Sequence, residues 1–155
     1  MILMVSLSIN RKAFVNPRGY LDTSRQAVHH RNMYRVGVKK RFSAAHSLRE
    51  YGGNCENLHG HNWVVEVVYN SDSVDKIGMV VDFRALKEAL DKILDGLDHC
   101  FLNDLDAFKE INPSSENISK YIYDKMRTGL GADINGAISS VRVWESEDSW
   151  AEYSG

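Results

Sequence analysis

The chain has 155 residues, 43% of them hydrophobic, which suits a single domain with a substantial core. Its formal net charge of -2 argues against a general nucleic-acid binder, which would carry a basic excess. No apolar run approaches the ~20 residues that span a bilayer, and two cysteines, Cys55 and Cys100, make no disulfide framework, so a soluble cytoplasmic protein is predicted.

Residues 1–32 carry Arg11, Lys12, Arg18, Arg25 and Arg31 against one acid, Asp22, and show no sustained periodicity. They are read as a poorly ordered extension, with an organellar transit peptide or translation from upstream of a start at Met33 as other readings. The domain proper is expected over residues 33–155. Its first strand begins at Tyr34, where Val36, Val38, Phe42, Ala44 and His46 share one parity and so one face. A second strand runs from Leu58 to Tyr69, rich in β-branched and aromatic residues. His59 and His61 share a face there, with Trp63, Val65, Val67 and Tyr69 behind them.

Antiparallel pairing of these two strands brings His46 toward His59 and His61. Three imidazoles without a fourth protein ligand is the arrangement of a catalytic zinc site, whose open position takes water or substrate. A closed structural site with Cys55 as fourth ligand is the competing reading. A zinc hydrolase would need a carboxylate base, and only Glu56 stands nearby, out of phase with the histidines.

The period then changes. Asp82 caps a predicted helix with apolar positions Phe83, Leu86, Leu90, Ile93 and Leu97, ending near Gly96. An irregular connection over 98–112 contains Asp98-His99, where an acid can orient an imidazole for proton transfer. Pro113-Ser114-Ser115-Glu116 reads as a second helix start, with Ile118, Tyr121, Ile122 and Met126 as its buried stripe. Two further strands are expected, from Ile138 to Ser146 and around Trp150 to Tyr153. Glu145, flanked by apolar residues at the end of the third, could accept from N–H donors on a ring edge. The order ββααββ predicts an α+β fold, an antiparallel sheet covered on one face by two helices.

As a set, these residues resemble the 6-pyruvoyltetrahydropterin synthase family. The resemblance rests on Phe42-Ser43-Ala44-Ala45-His46, on Cys55 separated by three residues from His59-Gly60-His61, and on Met79-Val80-Val81-Asp82-Phe83. It continues through Leu97-Asp98-His99, Pro113-Ser114-Ser115-Glu116-Asn117 and Trp144-Glu145. The spacing between Cys55 and His59 is similar to the 6-carboxytetrahydropterin synthase branch. Ser114-Ser115 stands where threonine is usual in part of the family, and Trp144 where an aliphatic residue or tyrosine often sits.

The resemblance implies a tunnelling fold (T-fold) that trimerises into a barrel of strands, two rings commonly stacking into a hexamer. It implies 7,8-dihydroneopterin triphosphate as substrate, converted to 6-carboxy-5,6,7,8-tetrahydropterin with loss of acetaldehyde and triphosphate, toward queuosine and other 7-deazapurines. A 6-pyruvoyl-type synthase or a non-catalytic zinc- or pterin-binding module on the same scaffold are the alternatives. Zinc would sit on His46, His59 and His61 of each subunit. Cys55 would be the base, Asp98 and His99 its acid–base partners, and Glu145 the pterin anchor, assisted by Ser114, Ser115 and Glu116. The site would lie between subunits. Lys39, Lys40, Arg41 and Arg49 are the cations available to a triphosphate, with a solvated strand face as the plainer reading for most.

Overall fold

The computed structural model describes residues 33–129 and 136–155. The expected extension over 1–32 lies outside the described residues. Two 13-residue strands, β1 (Tyr34–His46) and β2 (His59–Ser71), are paired antiparallel along their whole length, from Tyr34 opposite Ser71 to His46 opposite His59. Helices α1 (Phe83–Leu94) and α2 (Ser115–Gly129) follow, then strands β3 (Ala137–Trp144) and β4 (Trp150–Tyr153). The described strands form one antiparallel sheet in the order β1-β2-β3-β4.

Alternation along the strands decides which face is covered. Val38, Phe42 and Ala44 of β1, Trp63, Val65, Val67 and Tyr69 of β2, and Ile138, Val141 and Val143 of β3 are all buried. Against them pack Leu86, Leu90 and Leu94 of α1 and Ile118, Ile122 and Met126 of α2, in one continuous core. Each such side chain, fully buried, contributes roughly 1.5–3 kcal/mol of transfer free energy. Both helices therefore lie on one face of the sheet, as the periodicity predicts.

Two boundaries differ from expectation. The first helix ends at Leu94 rather than near Gly96, because the chain tightens into turns, with Gly96 N–H donating to Ile93 O at 3.3 Å and Leu97 N–H to Leu94 O at 2.8 Å. Leu97 stays in the core all the same. The third strand ends at Trp144, not Ser146. Glu145 opens the turn back to β4, its N–H donating to Ser149 O at 3.0 Å. Leaving the strand at that point lets the Glu145 side chain swing toward the end of β1.

The sheet's other face is polar. Lys39, Glu66, Arg142 and Glu152 form a cross-strand row, with Arg142 paired to Glu152 at 2.6 Å and Lys39 near Glu66 at 3.8 Å. Lys40 pairs with Asp91 at 2.9 Å, and Arg49 donates to the carbonyls of Phe108 at 2.8 Å and Ile111 at 2.5 Å. Three of the four cations considered for a triphosphate thus already have partners inside the fold.

Candidate metal centre and flanking cavities

The register of β1 and β2 builds the centre. His46, the last residue of β1, faces His59, the first of β2, and His61 lies opposite Ala44. Trp63 forms the floor: it is fully buried, its indole N–H donates to Ala44 O at 3.3 Å, and its ring meets His46 and His61 edge-on.

Hydrogen bonding at the far side of each ring fixes what the near side offers. His46 Nδ1–H donates to Pro113 O at 2.8 Å, and His59 Nδ1–H donates to Asn57 O at 2.7 Å. A neutral imidazole has one N–H, so both Nε2 atoms present lone pairs. They face each other 3.0 Å apart. Glu145 adds a carboxylate oxygen 3.3 Å from His46 Nε2 and 3.1 Å from His61 Nε2. His61 Nε2 is buried and makes no hydrogen bond.

Two imidazole lone pairs and a carboxylate oxygen converging in this way, with His61 Nε2 beside them, repel one another unless a cation lies among them. All four, from His46, His59, His61 and Glu145, lie within 4.8 Å of each other. Tetrahedral zinc with bonds of ~2.0–2.1 Å sets its ligand atoms roughly 3.3 Å apart, close to the spacings found. The group can hold a metal ion, and its imidazole–carboxylate chemistry suits zinc. Burial pushes the pKa values of His46 and His61 below the ordinary imidazole value, which keeps both rings neutral and able to ligate. The Cys55 sulfur is not among the converging atoms, so the closed shell with that cysteine is not the arrangement found.

Cys55 lies in a short 3-10 turn, Asn54–Glu56, and is half-buried. Its carbonyl accepts from Leu48 N–H at 2.9 Å, which ties the turn to the segment leaving His46. Cys100 differs in kind. Its thiol donates to Leu97 O at 3.1 Å, and burial, then the nearby acids Asp98 and Asp104, push its pKa up, away from thiolate.

Asp98 and His99 do face each other. Asp98 Oδ2 accepts from His99 Nδ1 at 2.8 Å, while Asp98 Oδ1 accepts from Ser43 N–H at 2.8 Å. The Ser43 bond, first, and the His99 bond hold the carboxyl below the usual carboxylate range. His99 adopts a left-handed backbone, φ 55°, and its N–H donates to Ser43 O at 2.6 Å. That conformation is costly for a non-glycine residue, and it leaves the His99 side chain 81% exposed.

Two cavities flank the centre. One of about 480 Å³ is lined by Ser43, Gly60, His61, Asn62, His99 and Cys100 among others. The other, about 260 Å³, is lined by His46, Ser114, Ser115, Glu116, Glu145 and Trp150 among others. The four residues expected to bind a pterin therefore border one cavity, and His46 borders it too. Ser114 also caps α2, its Oγ accepting from Asn117 N–H at 3.4 Å. Sequence reasoning did not foresee Glu145 against the histidines or the Pro113 carbonyl behind His46. Backbone carbonyls carry no residue-type signal, and the Glu145 position depends on where the hairpin turns.

Comparison with known proteins points one way. Residues 35–155 match the sequence profile of the 6-pyruvoyl tetrahydropterin synthase family. A 6-carboxy-5,6,7,8-tetrahydropterin synthase of Haemophilus influenzae is 31% identical over 143 residues, covering 78% of this chain and 99% of that protein. The 6-carboxy-5,6,7,8-tetrahydropterin synthase of Synechocystis is 38% identical, covering 72% and 86%. The 6-pyruvoyl tetrahydrobiopterin synthase of Dictyostelium discoideum is 33% identical, covering 74% and 90%. Among solved structures, the Caenorhabditis elegans 6-pyruvoyl tetrahydropterin synthase superimposes with a TM-score of 0.71 at 29% identity, covering 80% of this chain and 96% of that one. With the sheet, the two helices and the histidine centre in place, the chain belongs to the 6-pyruvoyl tetrahydropterin synthase family and has its T-fold.

Proposed function

We propose that this protein is a zinc-dependent 6-carboxy-5,6,7,8-tetrahydropterin synthase, a lyase acting on 7,8-dihydroneopterin triphosphate in queuosine and 7-deazapurine biosynthesis. The observation that carries the reading is the convergence of ring nitrogens of His46, His59 and His61 beside a cavity lined by Ser114, Ser115, Glu116 and Glu145. Several relatives bearing that name support it.

His46, His59 and His61 would hold zinc, which supplies Lewis-acid stabilisation of charge developing on the substrate side chain. Cys55 is the base that takes a proton from the substrate. Asp98 holds His99 in one tautomer, and His99, exposed on the larger cavity, exchanges protons with substrate. Glu145 and Glu116 line the smaller cavity with Ser114 and Ser115, and in this reading the two carboxylates accept from pterin N–H donors. In this reading the site is completed between subunits of a trimer-based hexamer, and the domain spans residues 33–155 of a cytoplasmic protein. Among the described residues no helix is long and apolar enough to cross a membrane.

The Dictyostelium relative supports a second reading, a 6-pyruvoyl-type synthase that eliminates triphosphate without losing a carbon fragment. Incubation with 7,8-dihydroneopterin triphosphate, followed by mass identification of products, separates the two. The 6-carboxy product with acetaldehyde is expected. A 6-pyruvoyl product assigns the second reading, and unchanged substrate contradicts both.

A further inference from the structure

Past Phe42, the backbone of β1 and its continuation does not end in open water. At every second residue it meets the connection over 98–112. Ser43 exchanges bonds with Asp98 and His99, and Ala45 N–H donates to Cys100 O at 3.0 Å. Ser47 N–H donates to Asn103 Oδ1 at 2.9 Å, and Asn103 Nδ2 returns a bond to Ser47 O at 2.9 Å. Arg49 N–H donates to Asn112 Oδ1 at 2.8 Å, and Asn112 Nδ2 returns one to Arg49 O at 3.0 Å. Each carboxamide offers one acceptor and one donor, the same pair a neighbouring strand would offer.

Asn112 joins more than the edge. Its neighbour Pro113 supplies the carbonyl that holds His46 Nδ1–H, and Ser114 caps α2. Its own carbonyl accepts from Asn117 Nδ2 at 2.8 Å. On the other side, Arg49 is bonded in sequence to Leu48, whose N–H holds the Cys55 carbonyl. One carboxamide thus stands between the partner of a metal-site histidine and the turn that carries the cysteine.

We propose that Asn112 is a positioning residue: its carboxamide locks the Arg49 backbone and the Pro113 carbonyl in one frame, so that His46 keeps Nε2 turned into the metal site. The inference rests on the proposal above that His46, His59 and His61 take up zinc. Outer partners of metal-ligating histidines typically matter 10–100-fold in metal affinity, and Asn112 acts one step behind such a partner.

The test measures zinc affinity of the full chain by competition with a chromophoric chelator, for the parent, Asn112→Ala and Arg49→Met. Arg49→Met removes the guanidinium bonds to Phe108 and Ile111 but leaves the backbone bonded to Asn112, so it controls for general loosening. Asn112→Ala is expected to bind zinc on the order of 10-fold more weakly and to shift the visible band of the cobalt-substituted protein. Arg49→Met is expected to lower the melting temperature while holding both zinc affinity and the cobalt band. If Asn112→Ala does not fold, Asn112→Asp carries the test, since it keeps the Arg49 N–H acceptor but sets a carboxylate oxygen against Arg49 O in place of the return donor; a loss of zinc affinity in the same direction is expected. Parent-like zinc affinity in the Asn112 variants, or an equal loss in Arg49→Met, overturns the proposal. A parent chain that takes up no zinc overturns the metal reading itself, and is seen before any variant is compared.

Discussion

His46 shows how much one residue position can demand. It is fully buried, bonded at Nδ1 to a carbonyl 67 residues away, and left with a lone pair aimed at a second imidazole. His46→Ala or His59→Ala should purify nearly free of zinc by elemental analysis, whereas His99→Ala should retain it, because the His99 ring is outside the converging group. The cysteines separate as sharply. Cys55→Ala should keep zinc while turnover falls by ~10²-fold or more, the scale of losing a positioned acid–base group. Cys100→Ala should stay near parent activity, since its thiol is held protonated against Leu97 O. Metal loss in Cys55→Ala would instead make that residue a ligand.

Asp98 carries a pH signature. Its native pKa is depressed, chiefly by the Ser43 N–H bond, below the ~3.9 of an unfolded aspartate. Its stabilisation is therefore complete above that unfolded value and is lost as pH falls through it toward the native one. The urea midpoint of the parent should exceed that of Asp98→Asn at pH 6, and the gap should narrow on acidification to pH 3. A constant gap would mean the carboxylate charge is not what matters.

At the scale of elements, β1 and β2 act as rails that bring the histidines together, and Trp63 is the floor between them. Trp63→Ala should lower stability by ~3–5 kcal/mol in chemical denaturation, the usual cost of deleting a buried aromatic side chain. Ser114→Ala should cost ~0.5–2 kcal/mol through the lost cap. Much of this was legible in the residues. Period-two apolar alternation through Val38, Phe42, Trp63 and Val65 predicts the strands, and parity together with antiparallel pairing brings His46, His59 and His61 together. The end of α1 is not legible in the sequence because Leu97 continues the apolar stripe after the helical hydrogen bonds have stopped. Val141, Val143 and Trp144 make Glu145 look like a strand residue, while a backbone bond to Ser149 closes the turn there. The carboxamide clamps of Asn103 and Asn112 were illegible, since an asparagine in an irregular segment reads as turn chemistry.

For the whole molecule, the sheet leaves two outer strands. Among the described residues, β1 meets the 98–112 connection from Ser43 onward, which leaves residues 34–42 and β4 as edges of the kind that pair with another chain. Tyr51, Leu58, Ile77 and Phe83 are exposed apolar side chains, again fitting association. Light scattering should report a trimer or a multiple of it at micromolar concentration, and a monomer would contradict the proposed assembly. Deleting residues 1–32 should leave that assembly and the zinc content unchanged.

In the proposed function the three converging histidines hold a zinc ion on which pterin chemistry depends. That dependence is tested most directly by stripping the full chain with a chelator, titrating zinc back, and following acetaldehyde release from 7,8-dihydroneopterin triphosphate. Activity should vanish on stripping and return in proportion to zinc bound, saturating at about one ion per chain, the stoichiometry of a single three-histidine site. Full turnover by the stripped protein, or acetaldehyde release that does not follow zinc occupancy, would contradict zinc dependence.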